Sequence, residues 1–267
     1  MNKYERLSVR RRLGLEIARK MQDELIEEHP LKQLFWECTL RCNLHCRHCG
    51  SDCKKVSDRP DMPKEVFLNV LNTIAQKTDP HKVFVIVTGG EPLMREDLEE
   101  CGAAIYQKGF PWGMVTNGMA LDDARLRSLM DAGLRSVSVS FDGFEQEHNY
   151  IRRNPRSFDR ALEAIRRIVR QPGLAYDVIT CVTGQMVPRL EEFKELLIAE
   201  GVGWWRLFTI FPVGRARNDE SLRLTDGQFR EVLEFIRRTR REGRIDVSYA
   251  CEGFLGRYEG EVRDDFY

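Results

Sequence analysis

Apolar residues recur along the chain with two different periods, and the alternation between them is the main signal of its fold. In residues 4–28, Leu13, Ile17, Met21 and Leu25 return at every fourth position among charges, which predicts a helix with one apolar face. His29-Pro30 ends it, because the residue before a proline is held away from helical geometry. Runs of strand length follow at 34–38, 83–87, 110–115, 135–141, 175–182 and 203–208. Between them, segments 62–77, 95–108, 121–132, 157–170 and 188–200 read as helices, and 225–241 as a last long one. Gly133, Asp142-Gly143 and Pro172-Gly173 supply stops and turns. A further strand, 244–249, leads into a tail containing Cys251.

Strands separated by helices of this length are joined by crossovers, so the strands are parallel and the class is α/β. An open doubly wound sheet and a barrel-like sheet both fit six such units. Both also place chemistry in the loops that follow the strand C-termini.

Composition narrows the function classes. The chain of 267 residues carries 42 basic and 42 acidic side chains, and its basic runs at 10–12 and 237–241 are interleaved with Glu16, Glu234 and Glu242. Such runs read as solvated helix faces and argue against a nucleic-acid partner. The longest aliphatic or aromatic run, 83–87, is too short to span a bilayer, and residues 1–28 lack the apolar core of a signal peptide. Eight cysteines in such a chain point to a reducing, cytoplasmic setting in which thiols bind metal or pack.

Three of those thiols stand close together after the first strand, as Cys42-x3-Cys46-x2-Cys49. Thiolates so spaced can wrap one metal centre, and on a four-iron cube they leave one iron open. Spacing alone also admits a redox pair, packing cysteines, or a zinc knuckle completed by His45 or His48. The loop after the second strand is Thr88-Gly89-Gly90-Glu91-Pro92, where two glycines permit close approach of a ligand and a stiffened carboxylate suits an ammonium group. The third strand ends in Thr116-Asn117-Gly118, and the fourth carries Ser138 and Ser140 on one face before Asp142-Gly143. These are small polar groups suited to a ribose or a carboxylate.

Taken in order, these motifs resemble the radical S-adenosylmethionine superfamily. Ser140-Phe141-Asp142-Gly143 and Pro212-x-Gly214-Arg215-Ala216 are similar to its SPASM branch, which carries a C-terminal auxiliary iron-sulfur domain and includes many peptide- and protein-modifying enzymes. The resemblance spans about residues 34–216. It implies a partial TIM-type (β/α)6 barrel with an N-terminal helix, and a 4Fe-4S cluster held by Cys42, Cys46 and Cys49. The open iron would take the amino and carboxylate groups of S-adenosyl-L-methionine, whose reductive cleavage gives methionine and a 5′-deoxyadenosyl radical that abstracts a substrate hydrogen.

The site roles it implies are specific. Glu91 with the Gly89 and Gly90 backbone would hold the methionyl ammonium, Ser140 would contact the ribose or carboxylate, and Thr116 and Asn117 would line the same pocket. Arg152 would pair with the cofactor carboxylate. His48 departs from the family, which usually has an aromatic residue packed beside adenine at that position. No catalytic acid or base is identified.

The implied domains are a helical extension at 1–30, the barrel at 31–243, and at 244–267 the start of a C-terminal region that reads as truncated. An auxiliary cluster is expected only in a longer form. The expected partners are a peptide or protein substrate and a flavodoxin- or ferredoxin-type reductant, with neither nucleic acid nor membrane. A small-molecule substrate is the alternative within enzymes, and a zinc-binding module the alternative outside them. Of the remaining thiols, Cys38, Cys101 and Cys181 are expected to pack in the core, and Cys53 to pack or to stand exposed on the substrate side. Trp204 and Trp205 point to opposite sides of their strand.

Overall fold

The computed structural model describes residues 8–251, 253 and 255–263. The strands are β1 (Gln33–Glu37), β2 (Phe84–Thr88), β3 (Trp112–Thr116), β4 (Leu134–Ser140), β5 (Ala175–Val182), β6 (Trp204–Thr209) and β7 (Asp246–Tyr249). The helices are α1 (Val9–Glu28), α2 (Lys64–Ala75), α3 (Leu98–Gln107), α4 (Asp123–Asp131), α5 (Glu145–Arg152), α6 (Ser157–Val169), α7 (Leu190–Ala199) and α8 (Asp226–Glu242).

Strand order decides between the two sheets that the alternation allowed. The strands are neighbours in chain order from β1 to β7, and every pair is parallel. A doubly wound sheet reverses its order at a switch point. This one never reverses, so crossovers of one hand lay the helices on one face and the sheet curls into an open barrel. β7 pairs with β6, so the sheet continues past residue 243, where the barrel was expected to end.

Side chains alternate across the staves with the period of two that strands impose. Val85, Val87, Val137, Val139, Val178 and Leu207 are fully buried in the core, which lies between sheet and helices. The intervening Phe84, Ile86, Ser138, Asp177 and Arg206 line the barrel interior. Trp205 is buried, with its ring centroid 5.8 Å from that of Phe193 of α7 and 5.7 Å from that of Phe235 of α8, both edge-on, whereas Trp204 is half exposed beside Tyr176. Trp205 Nε1 donates to Thr180 Oγ1 at 2.9 Å, and Thr180 donates to the Phe141 carbonyl at 2.6 Å. A buried indole N–H thereby keeps a partner, and the end of β4 is fixed against β5 and β6.

Two further features differ from the sequence reading. Helix α1 forms, but Leu13, Ile17 and Met21 are all more than half exposed, so the packing expected of that face is not made among the described residues. Residues 4–7 and the Leu25 side chain lie outside the described residues. Helix α5 has no counterpart in the periodic pattern, because its sequence EQEHNYIR offers Tyr150 and Ile151 as neighbours and no apolar residue one turn away.

Candidate active site

The loops leaving the C-terminal ends of β1, β2, β3, β4 and β6 converge on a cavity of about 270 Å3. Cys42, Cys46, His48 and Cys49 line it from the first loop, Gly89, Gly90 and Glu91 from the second, and Thr116 and Asn117 from the third. Ser140 and Arg152 come from the fourth unit, so the fold brings together the three cysteines and the residues expected to contact the cofactor, whereas Ser138 lines the barrel interior. Arg215, from the segment after β6, completes the lining.

The two glycines are required for a reason other than ligand approach. A Cβ on Gly89, whose φ is +132°, would stand 2.3 Å from the Thr39 carbonyl oxygen, and one on Gly90 would stand 2.2 Å from that of Arg41. The backbone of the first loop fills that space. Gly90 N donates to the Thr39 carbonyl at 2.7 Å and Glu91 N to the Arg41 carbonyl at 2.9 Å, which locks the first two loops together.

Glu91 ties in the third. Its carboxylate accepts from Thr116 Oγ1 at 2.7 Å, from the Asn117 backbone N–H at 2.8 Å and from that of Leu93 at 3.3 Å. Burial raises its pKa above the usual carboxylate value, against the pull of those three donors. Asn117 Nδ2 donates to Asn43 Oδ1 at 2.8 Å and lies 3.9 Å from Cys42 Sγ, so the third loop also reaches the cysteine loop.

All eight cysteines are free thiols, and Cys53 is a fourth one in this cavity. It is buried, so the expectation of an exposed substrate-side thiol is not met. Burial pushes Cys42 up to about 11 and raises Cys46 as well. Cys49 moves the other way, first because the Cys53 thiol hydrogen-bonds to it, with Arg215 adding a favourable charge. Donors surround the sulfurs: Leu44 N lies 3.4 Å from Cys42 Sγ, and Arg152 Nη1 lies 3.7 Å from Cys46 Sγ. Such donors stabilise thiolates and the metal centres bound to them, so the donor set fits an iron-sulfur cluster. Cys38 and Cys101 lie in the core as expected. Cys181 does not, since it lines the barrel interior.

A buried ion pair carries the fourth unit. Asp142 Oδ2 accepts from Arg152 Nε at 2.6 Å, and Asp142 Oδ1 accepts from the Cys181 backbone N–H at 2.9 Å. Burial works to raise Asp142, but Arg152, His48, His148 and the Cys181 N–H outweigh it and hold the carboxyl below its ordinary range. His148 Nδ1 accepts from the Asp142 backbone N–H at 3.0 Å, which requires a neutral ring, and burial together with Arg152 pushes this histidine down to about 3. His48 is pushed down to about 4, also by burial first. Its Nδ1 is buried without a partner among the described residues.

Asp142 and Arg215 are the polar residues that sequence reasoning left without a role. They appeared there only inside motif strings, and no local pattern shows that Asp142 meets Arg152 or that Arg215 meets the cysteine loop.

The radical SAM superfamily profile matches residues 36–197. The chain belongs to the radical SAM superfamily. Membership implies a 4Fe-4S cluster and S-adenosylmethionine as its cofactors and an enzymatic role. Among curated relatives of this radical SAM protein, the AdoMet-dependent heme synthase of Oleidesulfovibrio alaskensis is 26% identical over 236 residues, covering 88% of this chain and 60% of its own. The Fe-coproporphyrin III synthase of Methanosarcina barkeri is 26% identical over 227 residues, covering 84% and 56%. This chain thus spans about 60% of the length of the curated relatives it matches. Among solved structures, Streptococcus suis SuiB bound to S-adenosylmethionine superposes with a TM-score of 0.67 at 16% identity, covering 94% of this chain and 58% of SuiB. SuiB bound to its precursor peptide SuiA gives the same score and identity. At that identity the likeness establishes the partial-barrel fold.

Proposed function

We propose that Cys42, Cys46 and Cys49 hold the cluster, that S-adenosylmethionine binds beside it, and that the enzyme removes a hydrogen atom from a small molecule seated in the barrel. When bound, the cofactors supply reductive cleavage of the sulfonium to a 5′-deoxyadenosyl radical. One observation carries the reading. Val115 and Ser140 line both the site cavity and a larger one, of about 590 Å3, inside the barrel. A substrate in the larger space is then neighbour to the cofactor, with these two residues shared between the cavities.

The chain's own residues suit these tasks. A carboxylate offers about four acceptor sites, and three protein donors use Glu91, which leaves capacity for one N–H of an ammonium group. Arg152 keeps donors beyond the Nε bound to Asp142 and the Nη1 facing Cys46, and these suit the cofactor carboxylate. His48 offers a neutral flat ring with an unsatisfied nitrogen, as an adenine neighbour needs. In the barrel, Phe35, Phe84, Ile86, Ile179 and Phe208 form apolar walls. Ser138 and Arg206 both hydrogen-bond Asp177 at 2.6 Å and form a polar edge.

For the substrate class we favour a tetrapyrrole. The support is that the sequence relatives, at 25–27% identity, are heme, iron-coproporphyrin and pre-heme d1 synthases, together with the apolar cavity walls. SuiB shares the fold at 16% identity, which gives the peptide or protein substrate no separate support. A reducing, cytoplasmic setting and a flavodoxin- or ferredoxin-type donor complete the proposal, in keeping with eight unpaired thiols. Among the described residues no helix is long and apolar enough to cross a membrane.

The test is anaerobic reconstitution with iron and sulfide, then electron paramagnetic resonance with and without S-adenosylmethionine. A reducible cluster whose signal shifts with the cofactor, and 5′-deoxyadenosine release that rises with iron coproporphyrin III, are expected. A protein that assembles no cluster, or a cluster indifferent to S-adenosylmethionine, overturns the cofactor reading. Release unchanged by the porphyrin overturns the substrate class.

A further inference from the structure

We infer that Arg215 is the positioning residue of the cysteine loop, and that the segment Gly214–Asn218 is a strap fixing residues 42–53 in the shape that receives and retains a cluster. Those residues belong to no helix or strand, so their backbone groups need partners from outside regular structure. Arg215 supplies three of them. Its Nε donates to the Cys46 carbonyl at 2.7 Å, its Nη1 to the Cys53 carbonyl at 3.0 Å, and its backbone N–H to the Cys49 carbonyl at 2.9 Å. Nη1 also meets Asp52 Oδ1 at 2.6 Å, inside the same loop.

Gly214 explains how the strap comes so close. Its φ is +55°, and a Cβ there would stand 2.2 Å from the Gly50 carbonyl oxygen and 2.4 Å from that of Cys49. Backbone on backbone at this distance leaves no room for a side chain. Just past the strap, Asp219 accepts from Arg47 Nη2 at 2.6 Å and Nε at 3.1 Å, while Arg47 N donates to the Ile151 carbonyl at 2.8 Å. The loop is thus gripped at Cys46, Arg47, Cys49 and Cys53 by a segment more than 160 residues away in sequence. A guanidinium fork reaches two carbonyls at once, which a lysine ammonium on its flexible stem holds less well.

The inference is tested with Arg215→Gln and Arg215→Lys, using Arg166→Gln, which breaks a surface pair with Glu200, as control. In the cluster-free chain, hydrogen exchange at the Arg47, Cys49 and Arg215 amides is expected to quicken at least tenfold in Arg215→Gln, with strand amides unchanged. After reconstitution, iron release to a chelator is expected to quicken by at least the same factor, with a broadened resonance signal. Arg215→Lys falls between and Arg166→Gln matches the parent. Loop exchange and iron release at parental rates in Arg215→Gln overturn the inference. If strand protection also falls in that variant, Arg215→Lys decides: loss confined to the loop supports the strap, and parental loop protection refutes it. If no variant assembles a cluster, the function proposed above fails, while the exchange data still judge Arg215.

Discussion

Removing the Arg152 guanidinium should strand a charge in the middle of the molecule. Arg152 and Asp142 meet at 2.6 Å with side chains 9% and 0% exposed, so water cannot replace either partner. In Arg152→Met, Asp142 keeps the Cys181 N–H at 2.9 Å and has His48 Nε2 at 3.9 Å, but no full positive charge in contact. Breaking a buried pair in this way costs about 3–5 kcal/mol, and the surviving N–H favours the lower half of that range. Neutralising both partners, in Arg152→Met with Asp142→Asn, removes the stranded charge and should recover about 2 kcal/mol of the loss. Urea denaturation of the cluster-free chain near neutral pH measures all three variants.

The pH dependence gives a second reading of the same pair. With Arg152 present, the Asp142 carboxyl lies below its ordinary range, so the pair stabilises the fold above the unfolded carboxyl pKa of about 3.9 and the benefit fades as pH falls through the depressed folded value. Without Arg152, burial dominates and the folded carboxyl rises above the unfolded value. The variant then recovers stability relative to the parent as pH falls toward about 4. A cost below about 1 kcal/mol, or a gap from the parent that widens in acid, would refute the reasoning.

Three other perturbations bear on the site. Cys46→Ala should abolish both bound iron after reconstitution and 5′-deoxyadenosine release; full activity would contradict the ligand assignment. Gly90→Ala places a methyl 2.2 Å from the Arg41 carbonyl oxygen, so thermal melting should report a loss of about 3 kcal/mol, and near-parental stability would mean that the first two loops are not locked. His148 is pushed down from 6.5 to about 3, so the unfolded chain binds its proton first and stability falls with pH below 6.5. Two pH units of that decline amount to about 2.7 kcal/mol, a slope that His148→Asn should flatten in pH-dependent melts.

What the sequence disclosed follows from how far a physical cause reaches along the chain. A strand buried on one face against helices alternates locally, so 175–182 was legible residue for residue as β5, and 83–87 was found within one residue of β2. The cysteine spacing and Gly-Gly-Glu-Pro were equally local. By contrast, the reason for Gly90 lies in Arg41, that for Asp142 in Arg152, and that for Arg215 in a carbonyl 169 positions earlier. No periodicity records such meetings. Helix α5 escaped for a related cause: its place is set by a salt bridge and a histidine hydrogen bond instead of an apolar stripe.

The residues that looked like cofactor contacts from sequence therefore do two things. Glu91 holds the third loop to the second, and Arg152 holds α5 to the end of β4 while standing against Cys46. Arg215 closes the circuit by gripping the cysteine loop from the last crossover. Irregular loops become an accurate site only when supporting contacts fix their geometry, because an ångström of slack at a reacting centre is costly. Each tie here involves a charged side chain at least partly withdrawn from solvent, and each joins segments that sequence separates by at least ten residues. Under the proposed function, a substitution at Glu91 or Arg152 acts twice, once on the cofactor it faces and once on the loop it anchors. Measurements on the cluster-free chain separate the two, since only the second survives when no cofactor is present.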